Sequence, residues 1–279
     1  ARYLYYNQTW AHELGFTAPP QTPDEFRQQA CAANAFFKSD PDPADDGFGG
    51  WVVDDNWQTV YSWLLAFGGS LVEDGSLSFT RDENEAALAY LKSLYDDNCA
   101  WLMTDDAPYQ ALAARKALFV SGDLAELTSA QLAMAEAGNA DEWTLIPFPG
   151  LEDPLVVGYG PSYILLRSSP EEQLGAWLFT RWLLSAENQA RWVEMTGLLP
   201  LRYSVMNLVQ PYRTANPQWE NAALSLELLQ TTPELAAWRK ARYLLEDGVK
   251  TMFQVNLPLD GIPALLEEMQ GMAVELGGE

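Results

Sequence analysis

One histidine, His12, occurs in the 279 residues, in a polar stretch near the start of the chain. Any Ser–His–Asp or Cys–His catalytic unit would have to use it, and a lone histidine on a polar helix is far more often solvated than catalytic. HExxH, Walker A, GxGxxG and GxSxG are absent, so zinc hydrolysis, nucleotide binding, dinucleotide binding and an esterase elbow lack their usual marks. The acidic loop DPDPADDG, read as opening at Asp40, has Trp51 where an EF-hand needs its final bidentate Glu, and reads as a solvated loop. No metal or cofactor is expected. Abundant acids leave a glycoside hydrolase built on two carboxylates open, without singling out a pair.

What remains is non-covalent recognition chemistry: aromatics and amides near glycines at the ends of elements. Sugars offer apolar CH faces to aromatic rings and hydroxyl edges to Asp, Asn, Gln or Arg. The stretch DDNWQTVYSWLLAFGG holds Trp57, Tyr61 and Trp63. Trp57 and Tyr61, spaced i, i+4, share a helix face, whereas Trp63 faces elsewhere and reads as core. Candidate ligand residues are Trp57, its neighbours Asn56 and Gln58, Tyr61, Asp123 in the SGD turn, Tyr159 between two glycines, and Arg202 in LPLR. All but Tyr159, which a glycine turn sets apart from a core, have a plainer reading. Trp57 and Tyr61 suit a core, Asn56 and Gln58 a solvated loop, Asp123 a helix cap, and Arg202 a surface ion pair.

Charge narrows the partners. Acidic residues number 39 against 16 basic, a net charge of −23, which argues against nucleic acid and anionic membranes. No apolar run approaches the roughly 18 residues of a membrane span. Cys31 and Cys99 are too far apart for a CxxC site; they read either as one disulfide, suiting an exported protein, or as two buried thiols. The opening ARYLYYN carries no Met and no signal-type apolar region, which reads as a processed or truncated chain.

The elements that must position these residues read as α/β with a helical C-terminal third. YLYY is a strand, and Asn7 caps the helix QTWAHELG. Thr22, Pro23 and Glu25 form a capping box that opens a helix. Helices are expected over 57–67, over 82–96 with Ala86, Leu88, Leu91, Leu94 and Tyr95 near one face, over APYQALAARK and over 125–137. KALFVSG and EWTLIPFPG read as strands, and LVVGYGPSYILLRSS as strand, turn, strand. From Pro170 onward the pattern is helical nearly to the end, through Ser-capped SPEEQLGAWLFTRWLLS and SAENQARWVEMTG, then NPQWENAALSLELL, TPELAAWRKARYLLEDGVKTMF and GIPALLEEMQGMAVELGG.

Three stretches resemble one family. LYYNQTWAHELGFTAPPQTPDEFRQQA is similar to the segment after the first hinge of sugar-type solute-binding proteins of ABC transporters, the maltose- and glycerol-phosphate-binding group. ARKALFVSGDLAEL resembles a strand and turn of the same proteins. VVGYGPSYILLRSSPEEQLGAWLFTRWLLSAENQARWVEMTGLLPLR is the most specific, resembling their glycine turn, paired helices and TGYLP loop. The resemblance implies a periplasmic-binding-protein fold of type II that closes on its ligand by hinge bending. It implies an extracellular, periplasmic or cell-surface location, a sugar or polyol ligand, and delivery to a permease, without catalysis. It places residues 5–155 and 207–279 in the second lobe and 156–206 in what remains of the first, whose N-terminal part is missing. The family's sugar-facing aromatics make Trp57 the first choice of platform. The chain departs from the pattern at Leu124 and Leu198, where the family has aromatics, which puts a standard maltodextrin site in doubt. A helical interaction module is the third alternative.

Overall fold

The computed structural model describes residues 1–39, 41–103, 107–160, 162–254 and 257–277. Asp40, where the acidic loop was read to open, lies outside them. Strand β1 (Arg2–Asn7) is buried along its whole length. Alternation sends Leu4 and Tyr6 into one core and Tyr3 and Tyr5 into the other. Burial on both faces explains why RYLYYN is nearly unbroken in apolar character. The tyrosine hydroxyls still need partners, and find them: Tyr3 donates to the carbonyl of Ala222 at 2.9 Å, Tyr5 to that of Asp123 at 2.7 Å, and Tyr6 to Gln29 Oε1 at 2.9 Å.

The remaining strands are β2 (Trp51–Val52), β3 (Val72–Glu73), β4 (Ser76–Leu77), β5 (Ala100–Trp101), β6 (Phe119–Asp123), β7 (Trp143–Ile146), β8 (Val156–Gly158) and β9 (Leu229–Thr231). The main sheet runs β5-β2-β6-β1-β8-β9, with β7 also paired to β1. β5, β2 and β6 are mutually parallel, and β1 is antiparallel to β6 and β8. Three strands therefore end at one edge of the sheet, β8 ends there too, and β1 begins there. β3 and β4 form a separate hairpin.

Helices cover both faces. Pro23–Lys38, Trp57–Ala66, Asp82–Asp96, Trp238–Met252 and the final helix from Ile262 pack on the Leu4 side. Pro108–Ala113, Leu127–Glu136 and Pro217–Leu224 pack on the Tyr3 side. The Thr22 capping box is formed, with Pro23 in the first turn. In the Asp82–Asp96 helix the buried stripe is Ala87, Leu88, Leu91 and Leu94; Ala86 points outward, one position off the expected face.

Cys31 of the Pro23–Lys38 helix and Cys99, just before β5, are joined by a disulfide, their Cα atoms 4.3 Å apart. Between them passes the FGGW turn. A Cβ on Gly50, whose φ is +63°, would lie 2.0 Å from the Cys99 carbonyl oxygen, and one on Gly49 would lie 2.5 Å from the Ala33 backbone. Only glycine lets β2 enter the sheet beneath the helix.

Three expectations change. Residues 162–169 adopt no regular structure, so the second strand of the strand–turn–strand reading is absent there. NPQWENAALSLELL is helical only to Leu224; a 3-10 turn then leads into β9, which pairs in parallel with β8. TPELAAW becomes helical only at Trp238. Propensity favoured helix in both places, and the open edge of β8 outcompeted it in one. The Pro170–Leu183 helix forms as its Ser169 cap and Pro170 dictate, yet buries none of its residues. Ile164, Leu166, Trp177, Phe179 and Trp182 all stand more than half exposed beside one another in sequence.

Candidate functional site

The sheet edge where β5, β2 and β6 end borders an open cleft of about 970 Å³. In parallel α/β sheets the carboxyl ends of strands are where ligands sit, because loops diverge there and leave a crevice. Here the loop Val53–Asn56 follows β2, Leu102 and Met103 follow β5, and Ser121 and Asp123 close β6. Tyr109, Glu126, Lys250 and Phe253 complete the walls.

Arg2 organises the floor. As the first residue of an antiparallel strand it lies opposite Asp123 on β6 and Val157 on β8, at the cleft edge. Its residue is 5% exposed, so its charge must be paired within the protein. Nη2 donates to Asp54 Oδ2, and Nε donates to Thr59 Oγ1 at 2.9 Å. Thr59 in turn donates to Asp54 Oδ2 at 2.6 Å, and the Asn56 backbone N–H donates to Asp54 Oδ1 at 3.0 Å. Nη1 faces Asp123 at 3.6 Å and Glu126 at 3.8 Å. Burial opposes the guanidinium charge, but Asp54 and Asp123 outweigh it, and the pKa of Arg2 rises.

The acids beyond Asp54 are held from the other side. Tyr159 donates to Asp123 Oδ1. Glu126 Oε2 accepts from the Asp123 backbone N–H at 2.7 Å and from the Tyr109 hydroxyl at 2.8 Å. Burial, then the hydrogen bond to Asp123, pushes the Tyr159 phenol above its ordinary value. Burial also raises Asp55, which Lys250 partly counteracts. The result is a row of fixed carboxylates with apolar walls from Val52, Val53, Val120 and Phe253. Such a surface accepts hydrogen bonds from a donor-rich ligand and covers its apolar faces. Among the described residues no group of His, Cys, Asp and Glu has the makings of a metal site.

Asn56 and Asp123 line this cleft; Asn56 Oδ1 also caps the helix that follows, accepting from the Gln58 N–H at 3.0 Å. Trp57 does not line it. The ring is 8% exposed, edge-on to Tyr159 at 5.5 Å and to Trp238 at 5.7 Å, with the Arg242 guanidinium 5.0 Å from its centroid. The structure thus places the expected platform in packing. Tyr61 is likewise core, against Trp238 at 5.0 Å, and Gln58 is buried beside Tyr159. Trp63 is fully buried on Phe26. Tyr159 reaches the cleft only through its hydroxyl on Asp123. Arg202 stands exposed before a 3-10 turn, outside the cleft, and His12 is exposed on its helix. Arg2, Asp54, Tyr109, Glu126 and Lys250 were not singled out from sequence. An arginine inside an otherwise apolar strand, and the D-x-x-E spacing of Asp123 and Glu126, were the signals available.

The family model of bacterial extracellular solute-binding proteins matches residues 1–224. No curated protein sequence matches the chain. Among solved structures, the sugar-binding protein MalE of Xanthomonas citri superposes with a TM-score of 0.82 at 19% identity, over 99% of this chain and 68% of that one. The cyclic α-maltosyl-1,6-maltose binding protein of Arthrobacter globiformis gives 0.74 at 16% identity, over 98% and 70%. UgpB of Mycobacterium tuberculosis, in complex with glycerophosphocholine, gives 0.73 at 16% identity, over 99% and 68%. At these identities the likeness carries the fold, a periplasmic-binding-protein fold of type II.

Proposed function

Because this chain belongs to the bacterial extracellular solute-binding proteins, we propose that it binds a carbohydrate in the cleft at Arg2, Asp54, Asp123 and Glu126 and delivers it to the permease of an ABC importer. The observation that carries the carbohydrate is the row of carboxylates fixed by Arg2 at the carboxyl ends of the strands. Fixed acceptors beside apolar walls match a molecule with hydroxyl edges and CH faces. The sugar and oligosaccharide ligands named for the structural relatives support the same class. Asn56 joins Asp123 as a ligand-facing residue, and Tyr159 acts by holding Asp123.

The two-carboxylate hydrolase gives way to the family assignment: its members are solute-binding proteins. The cleft acids are also built into a structural network, with Asp54 accepting from Arg2, Thr59 and the Asn56 N–H. Residues 5–155 and 207–279 are assigned to one lobe; within 156–206, β8 joins that lobe's sheet and Ala190, Val193 and Val205 its Tyr3-side core, and the stretch between them is assigned to the other lobe. Supporting this, the stretch after β8 sends Ile164, Leu166, Trp177, Phe179 and Trp182 outward instead of into either core. Ligand would close the lobes about the strands that cross between them.

The test is a thermal-shift and calorimetric screen against mono- and oligosaccharides, with chromatography of the sugar afterwards. Stabilisation with the sugar recovered intact is expected. Turnover of the sugar, or indifference to the whole panel, would count against the proposal.

A further inference from the structure

The charge balance of the cleft bears on which carbohydrate it takes. Its described lining residues include four acids, Asp54, Asp55, Asp123 and Glu126, and two cations, Arg2 and Lys250. Arg2 is not free to meet a ligand. The Arg2 fork is occupied by Thr59 and Asp54, and its remaining edge points between Asp123 and Glu126. Lys250 is exposed and partly offsets the charge of Asp55. The acids keep capacity to spare. Asp123 gives Oδ1 to Tyr159, while its Oδ2 lies 3.6 Å from Arg2, beyond hydrogen-bond length. Glu126 takes its hydrogen bonds on Oε2, and its side chain is 46% exposed. Asp54, Asp123 and Glu126 thus share one guanidinium, which leaves this wall with a net charge of −2.

We infer that the solute is a carbohydrate bearing a protonated amine, with Asp123 and Glu126 as the specificity-setting carboxylates; this rests on the carbohydrate reading above. The ammonium would supply the charge the wall lacks, and its N–H donors would meet the open oxygens in charge-assisted hydrogen bonds. A phosphorylated or carboxylated sugar would bring a third negative charge to the same wall, where Arg2 is already shared by three carboxylates. Low dielectric around the apolar part of the cleft sharpens both effects.

Matched monosaccharides separate this inference from the reading beneath it. Affinities of the full chain are measured by calorimetry for glucosamine, glucose and glucuronate, and for the corresponding galactose series. The expected order in the series that fits is amine over neutral by about tenfold, and neutral over acid by about tenfold, each about 1.4 kcal/mol. Raising sodium chloride from about 20 mM to about 500 mM should weaken the amine sugar and leave the neutral one unchanged. Glu126→Gln, which keeps an acceptor for Tyr109 and the Asp123 N–H, should narrow the ratio of amine to neutral affinity several-fold. Equal affinity for amine and neutral sugars, or a salt-insensitive preference, overturns the inference and leaves the carbohydrate reading standing. No binding of any sugar, oligosaccharides included, overturns both.

Discussion

Tyr159, just beyond the end of β8, donates its hydroxyl to Asp123, the last residue of β6, although β1 lies between the two strands. The bond spans the end of β1, where Arg2 also faces Asp123. The turn after β8 is thereby tied to the wall of the cleft. Removing the hydroxyl alone isolates that tie. Tyr159→Phe should keep the ring against Trp57 and cost about 1–3 kcal/mol, since a partly buried carboxylate loses a donor. Urea unfolding of the two proteins measures it; equal midpoints would mean that the bond contributes nothing.

Arg2→Met should be more damaging. It leaves Asp54, partly buried, without its cation and Asp123 and Glu126 without the guanidinium they share with it. A loss of about 3–5 kcal/mol is expected. Adding Asp54→Asn to Arg2→Met should recover part of it, because the buried charge is then gone. A double variant no more stable than Arg2→Met would show that the ion pair is not the source of the loss.

Reduction of the Cys31–Cys99 disulfide frees a loop spanning 68 positions of sequence. The chain-entropy model gives about 4 kcal/mol for a loop of that size. In denaturant melts, the reduced protein and the Cys31→Ser, Cys99→Ser variant should share one midpoint, well below that of the oxidised protein. A melt indifferent to reductant would argue that the unfolded chain is already compact.

Trp57→Ala distinguishes packing from recognition. The ring is held by Tyr159, Trp238 and Arg242. Its removal should lower stability by about 3–5 kcal/mol. Affinity of the still-folded protein for its sugar should change less than about threefold. A tenfold loss of affinity with stability intact would restore the ring to the binding face.

Asp141 supplies a pH signature remote from the cleft. Hydrogen bonds from Arg115, at 2.6 and 2.7 Å, bring its carboxyl down to about 2, against the opposing effect of burial. A depressed carboxylate stabilises the fold above its unfolded value of about 4, and the contribution is lost as pH falls through about 2. Arg115 is 36% exposed, so the contribution is discounted to on the order of 1–2 kcal/mol. Arg115→Gln should flatten the fall in stability between about pH 4 and pH 2, read from thermal melts in that window. An unchanged acid limb would assign the fall to other carboxylates.

Local chemistry made much of the fold legible before any coordinates. Thr22, Pro23 and Glu25 had to open a helix, Ser169 and Ser185 had to cap theirs, and YLYY had to be a strand, because caps and periodicity act within a few residues. Tertiary structure decided the rest. Residues 229–231 became β9 because β8 had an unpaired edge, which no window of sequence reports. Trp57 was a platform or a core ring by type and spacing alike; only the fold brings Trp238 and Arg242, about 180 residues on, against the ring. Arg2, Asp54, Asp123 and Glu126 are scattered across more than 120 positions, and become one site only because antiparallel β1 begins where β2 and β6 end. Charge pairing in a low-dielectric floor depends on distances in space, and the sheet sets those distances.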